Sequence, residues 1–145
     1  MEPSIEELEK KIGINFRDKR LLKTALTHDS YLQEPQGQGL EGNERLEFLG
    51  DAVLRLVASK HVYDGITMGE GVLHDRREEF VKGDAAVRAG KRLRLKDFLL
   101  MPTGQLHQLD SGKILGDAYE ALLGAIFIDQ EYETAADFSK QTLFR

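Results

Sequence analysis

The chain has 145 residues, enough for one domain around a single core. Hydrophobic residues make up 41% and charged residues 31%, and no apolar run approaches the roughly 18 residues of a membrane-crossing helix, so a disordered chain and a chain with a membrane-spanning helix are both excluded. There are no cysteines, which excludes disulfides and thiolate metal sites, and the net charge of −5 argues against a general nucleic-acid binder unless the acids gather at one place.

Taken in chain order, the pattern predicts helix after helix. The acidic start Met1-Glu2-Pro3 lacks the basic and apolar blocks of a secretory leader, and with no cysteine a reducing, cytoplasmic setting is expected. Ser4 followed by Glu7 is a capping box behind Pro3, with Ile5, Leu8 and Ile12 as the apolar stripe and Gly13 as the stop. A second helix is predicted from Asp18 to Leu26, followed by a loop over Tyr31 to Gly42, where Pro35, Gly37, Gly39 and Gly42 fall. A third helix starts near Asn43 and continues through Val53, Leu54, Leu56 and Val57 toward Val62. Thr67 and Glu70 read as a second capping box, opening a helix with Val72, Leu73, Phe80 and Val81 inward. Asp84 is placed as the cap of the next helix, whose inward residues are Ala85, Val87, Ala89 and Leu93. Leu99 to Gly112 reads as a loop. The segment from Gly112 to Asp129 is apolar nearly all round and so is expected at the centre, with Ala118, Ala121, Gly124 and Ala125 permitting close helix approach. A last helix is predicted from Glu131 to Phe144. No strand pattern occurs, and the expected fold is all-α, one domain over residues 1–145.

Two of these helices carry acids where apolar neighbours leave little room for them. Glu44, Glu47 and Asp51 stand at i, i+3 and i+7, and Asp117 and Glu120 at i and i+3, each set on one helix face. Like charges on one face repel, and apolar surroundings raise the cost. A divalent ion is the simplest compensation, because Mg²⁺ takes hard oxygen ligands and keeps several waters. For Glu47 and Asp51 the competing reading is a solvated face near Arg45 and Arg55; for Asp117 and Glu120 the only nearby cation in sequence is Lys113. Glu44 also suits a helix first turn, and Glu70 the third position of its capping box. Phe48 points about 100° away from Glu47, and core packing is its plain reading. The run from Arg76 to Lys96 holds eight basic residues and three acids, either a solvated face or a surface for phosphates. His28-Asp29-Ser30 contains triad residue types, but helix neighbours do not face each other, so a hydrolase triad is rejected.

The stretch Asn43-Glu44-Arg45-Leu46-Glu47-Phe48-Leu49-Gly50-Asp51-Ala52-Val53-Leu54 resembles the signature of the ribonuclease III endonuclease domain. Thr27-His28-Asp29-Ser30 is similar to the family's upstream element, Glu70-Gly71-Val72-Leu73 to its downstream one, and Asp117 to Ala125 to its second acidic helix. The resemblance covers essentially the whole chain. It implies an all-α, homodimeric fold and a divalent-metal-dependent endoribonuclease that cleaves double-stranded RNA, leaving 5′-phosphate and 3′-hydroxyl ends with a short 3′ overhang. It implies Mg²⁺, with Mn²⁺ able to substitute, on Glu47, Asp51, Asp117 and Glu120 as catalytic metal ligands. Glu44 and Glu70 match auxiliary acids, Phe48 matches a dimer contact, and Arg76, Arg77 and Lys113 are the candidate RNA contacts. A non-catalytic RNA-binding or ribosome-associated relative with the same fold is the alternative. Two departures stand out. No double-stranded-RNA-binding domain follows the last endonuclease helix, as in a single-domain enzyme or a piece cut at the boundary. The stretch before the second acidic helix reads Gln108-Leu109-Asp110-Ser111-Gly112-Lys113, with one Gly and an added acid where the family usually has a Gly-Gly turn and basic residues.

Overall fold

A computed structural model describes residues 4–144, and among them seven α-helices are joined by loops and 3₁₀ segments. Among the described residues the one β pairing is an isolated bridge between Thr27 and Leu100. α1 (Ile5–Ile12) begins where the capping pattern places it: the Ser4 hydroxyl accepts from the Glu7 amide at 3.3 Å, and Gly13 ends the helix at φ +73°. Pro3 lies outside the described residues, as does the side chain of Asp110. α2 (Lys19–Ala25) is capped by Asp18, whose carboxylate accepts from the Arg20 amide at 3.0 Å. The expected loop after it contains two short 3₁₀ turns, Asp29–Gln33 and Pro35–Gly37.

α3 (Glu44–Gly65) is the long helix of the signature. The side chain of Asn43 does not cap it. It is buried and donates to the Ala25 carbonyl at 3.1 Å, while its amide donates to the Thr27 carbonyl at 2.9 Å. The entry of α3 is thereby tied to the end of α2, which fixes where Glu44 and Glu47 emerge.

Two expected caps are corrected. α4 (Glu70–Val81) starts after Gly69, not after Thr67. Gly69 is extended, and its carbonyl takes the amides of Val72 and Leu73 at 3.1 and 3.2 Å, so Thr67 stays outside the helix and Glu70 is its first residue. α5 (Gly83–Arg92) is preceded by Lys82, with Asp84 inside its first turn, where it still complements the helix dipole.

α6 (Lys113–Asp129) is the central rod, with α2, α3, α5 and α7 (Tyr132–Thr142) packed around it. Leu122, Leu123 and Ile126 are completely buried, each contributing about 1.5–3 kcal/mol by removal from water. The end of α6 is pinned by Asp129, whose carboxylate accepts the amides of Arg17 and Asp18 at 2.8 Å each. α4 is the opposite case: it buries no residue completely and leans on α3 through partly buried Phe80, which meets the ring of His61 edge-on and that of Phe144 at a tilt.

Candidate active site

The two acidic helices meet at a crossing that only glycine permits. Gly50 of α3 faces the backbone of α6, where a β-carbon would overlap the carbonyl oxygen of Glu120 and lie 3.1 Å from the Gly124 nitrogen. Gly124 returns the favour, with its own β-carbon position overlapping the Leu46 carbonyl oxygen. This contact sets the register of the flanking acids. Glu47 meets Asp117, and Asp51 meets Glu120, each pair close enough to interact through a shared proton.

The electrostatics follow from that convergence. Burial, then the charges of Asp51, Glu47 and Asp117, push the Glu120 carboxyl up to about 8. Burial and Asp117 also raise Glu47, with Lys113 pulling the other way. Lys113 donates to Asp117 at 2.7 Å, and that bond holds its ammonium above the ordinary range. Asp51 leans on Arg55, whose Nε is 3.3 Å from its Oδ2. Among the described residues no three carboxylates or imidazoles are already gathered as ligands around one point, and Asp51 and Asp117 are each paired with a cation, Arg55 and Lys113.

The crossing opens into a groove of about 900 Å³. Glu47, Asp51 and Asp117 line it, together with His28, Asp29, Glu44, His107, Gln108, Ser111 and Lys113. Glu44 is raised by a hydrogen bond that its protonated carboxyl donates to Asp29 and by that residue's charge.

The sequence profile of the ribonuclease-III-like family matches residues 18–145. The chain belongs to the ribonuclease III family. It is 41% identical to ribonuclease 3 of Oceanobacillus iheyensis over 139 residues, covering 92% of this chain and 60% of that protein. It is 44% identical to the Pelotomaculum thermopropionicum enzyme, covering 89% of this chain and 55% of that one, so the chain spans little more than half the length of these curated relatives. Among solved structures it is similar to the nuclease domain of ribonuclease III from Campylobacter jejuni, with a TM-score of 0.84 and 35% identity over 97% of this chain and 96% of that one. That structure is described as flexible in a region involved in dimer formation. A second structure of the same domain gives a TM-score of 0.81 at 34% identity.

In this ribonuclease III fold the other expected residues separate. Glu44 reaches the groove, but Glu70 does not: it lines a small pocket between α3 and α4 with Tyr63, Leu73 and His74. Phe48 is 82% exposed, which removes core packing as its role. Arg76 is exposed and paired with Glu79 at 3.7 Å. Arg77 instead folds back onto α3, donating to the Ser59 hydroxyl at 3.3 Å. His28 bonds locally, its Nδ1 2.6 Å from the Ser30 hydroxyl; it caps a 3₁₀ turn and does not lie on an α-helix, so the rule that helix neighbours do not face each other does not apply to this contact. Sequence reasoning missed the groove-lining residues His107, Gln108 and Ser111, which belong to a nine-residue 3₁₀ segment with no periodic signal.

Proposed function

We propose that this domain is a divalent-metal-dependent endoribonuclease that hydrolyses double-stranded RNA as a homodimer, leaving 5′-phosphate and short 3′-overhang ends. The observation that carries the reading is the approach of Glu47 to Asp117 and of Asp51 to Glu120 at the Gly50–Gly124 crossing, beside an open groove that Glu47, Asp51 and Asp117 line. Their donor set fits the ion. All four offer hard oxygens, and burial, then the charges of Asp51, Glu47 and Asp117, raise the Glu120 carboxyl to about 8. Mg²⁺, or Mn²⁺ in its place, would be held by these four residues, and when bound it supplies an activated water and neutralises charge on the phosphate. The chain's own part is to hold the carboxylates on two rigid helices and to admit a phosphodiester along the groove. Lys113 and exposed Arg76 are candidate contacts for the RNA backbone, whose phosphates dominate such affinity. No helix among the described residues is long and apolar enough to cross a membrane.

Incubating the protein with a perfect RNA duplex, with and without Mg²⁺, and mapping the termini tests the proposal. Expected are Mg²⁺-dependent cuts on both strands with 5′-phosphates and a short 3′ overhang. Binding without cleavage in Mg²⁺ and in Mn²⁺ would point instead to a non-catalytic relative.

The homodimer rests on Phe48, with Leu56 and Tyr63 (55% and 70% exposed) within about 80° of it on the same side of α3. A symmetric interface uses each residue twice. Phe48→Ala is therefore expected to raise the dimer dissociation constant about 100-fold or more. Sedimentation of wild type and variant at micromolar concentration checks this; identical profiles would remove Phe48 from the interface.

A further inference from the structure

Arg55 stands one turn beyond Asp51 on α3, placed between two carboxylates. Its Nε is 3.3 Å from the Asp51 Oδ2, and its Nη1 is 4.0 Å from the Glu78 Oε1 on α4. The same Glu78 oxygen is 3.9 Å from the Nε of Arg77, a buried atom with no hydrogen-bond partner. Both distances at Glu78 are ion pairs too long to be hydrogen bonds, so this carboxylate has unused capacity for a closer cation. Arg55 is 48% exposed and Asp51 49%, so either side chain can turn without disturbing the core. α4 buries no residue completely, so it can also adjust toward α3.

We infer that Arg55 is a positioning residue that competes with the divalent cation for Asp51, and that Glu78 receives its guanidinium when the cation binds. The inference rests on the reading of the four carboxylates as a metal site. A divalent ion and a guanidinium cannot both sit tightly on one small carboxylate, because their repulsion at about 4–5 Å outweighs a solvent-exposed ion pair. Binding of the ion therefore includes the release of Arg55. Release is easier with Glu78 waiting on the neighbouring helix than into water alone. Metal affinity at the centre is in this way linked to the packing of α4, which makes no direct contribution of ligands. Lys113 restrains Asp117 at 2.7 Å on the other side, so both helices present an acid already held by a cation of the same chain.

The test is Mn²⁺ titration, followed by the electron paramagnetic resonance signal of the free ion, with no RNA present. Wild type, Arg55→Gln, Arg55→Lys, Glu78→Gln and the Arg55→Gln/Glu78→Gln double variant are compared. Arg55→Gln is expected to tighten Mn²⁺ about three- to tenfold, and Arg55→Lys, which keeps the charge, to stay within about twofold of wild type. Glu78→Gln is expected to weaken Mn²⁺ about two- to threefold, and this effect is expected to vanish in the double variant, since no guanidinium remains to be received. Unchanged or weaker Mn²⁺ binding by Arg55→Gln overturns the inference while leaving the metal site intact. So does a Glu78 effect that persists without Arg55. Wild-type protein with no saturable Mn²⁺ binding that Glu47→Gln removes overturns the metal-site reading itself, and the inference with it.

Discussion

Glu120→Gln is expected to abolish cleavage of duplex RNA while making the protein more stable in EDTA at pH 8. Gln keeps the shape of the side chain and one oxygen but cannot offer a charged ligand, so cleavage in Mg²⁺ should fall by about 10²–10³-fold or more. The stability effect has the opposite sign. The Glu120 carboxyl has an ordinary value of 4.5 and is raised to about 8 in the folded protein, by burial first and then by the three neighbouring acids. Below pH 4.5 both folded and unfolded chains hold the proton, and the group costs nothing. Between 4.5 and 8 the unfolded chain gives up a proton that the folded protein keeps, so stability falls as pH rises, and above 8 the full cost is present. Gln is neutral throughout. The site is partly open to solvent, so the gain at pH 8 is on the order of 1–2 kcal/mol, or roughly 3–8 °C in melting temperature. It should disappear near pH 4.5. Calorimetry in EDTA across this range checks it. A variant that is destabilised, or equally stabilised at every pH, would mean that Glu120 is not crowded by other acids.

The second large effect is expected at Gly50. In most helix interiors Gly→Ala stabilises by roughly 0.5–1 kcal/mol. At this position the new carbon would overlap the Glu120 carbonyl, a backbone atom with no rotamer to escape into. The helices must separate, and Gly50→Ala should cost about 3 kcal/mol or more in urea denaturation. The same separation pulls Glu47 from Asp117 and Asp51 from Glu120. A displacement of about 1 Å at a reacting centre costs on the order of 100-fold, so single-turnover cleavage at saturating Mg²⁺ should fall that far even in protein that remains folded. Gly104→Ala is the control: nothing stands within 4 Å of its added carbon, and stability should change by less than about 0.5 kcal/mol. A Gly50→Ala protein as stable and active as wild type would contradict the close crossing.

Local chemistry accounts for what was legible early. The Ser4 cap, the Gly13 stop, the Asp18 cap and the apolar stripes lie within one or two turns of the residues they organise, so helical period and capping rules find them. The same rules misplace the start of α4. Thr67 and Glu70 have the spacing of a capping box, but the extended backbone puts the cap at Gly69, two residues after Thr67, and the helix begins at Glu70. Composition alone also marked α6 as the central helix, since a helix apolar all round has to be enclosed.

By itself, then, the sequence determined the helices, their order, the acid spacings on two of them and the family. Spacing along a helix is a local property, and it already puts Glu47 with Asp51 and Asp117 with Glu120. Which acids meet which is a property of packing between segments far apart in the chain. The Gly50–Gly124 contact brings Glu47 to Asp117 and Asp51 to Glu120. The turn at Gly69 sends Glu70 to a different pocket. Burial on α3 leaves Phe48 facing outward, and the lie of α4 puts Glu78 within reach of Arg55. Only the tertiary structure decides these pairings, because a close approach of two backbones is set jointly by every side chain kept out of it.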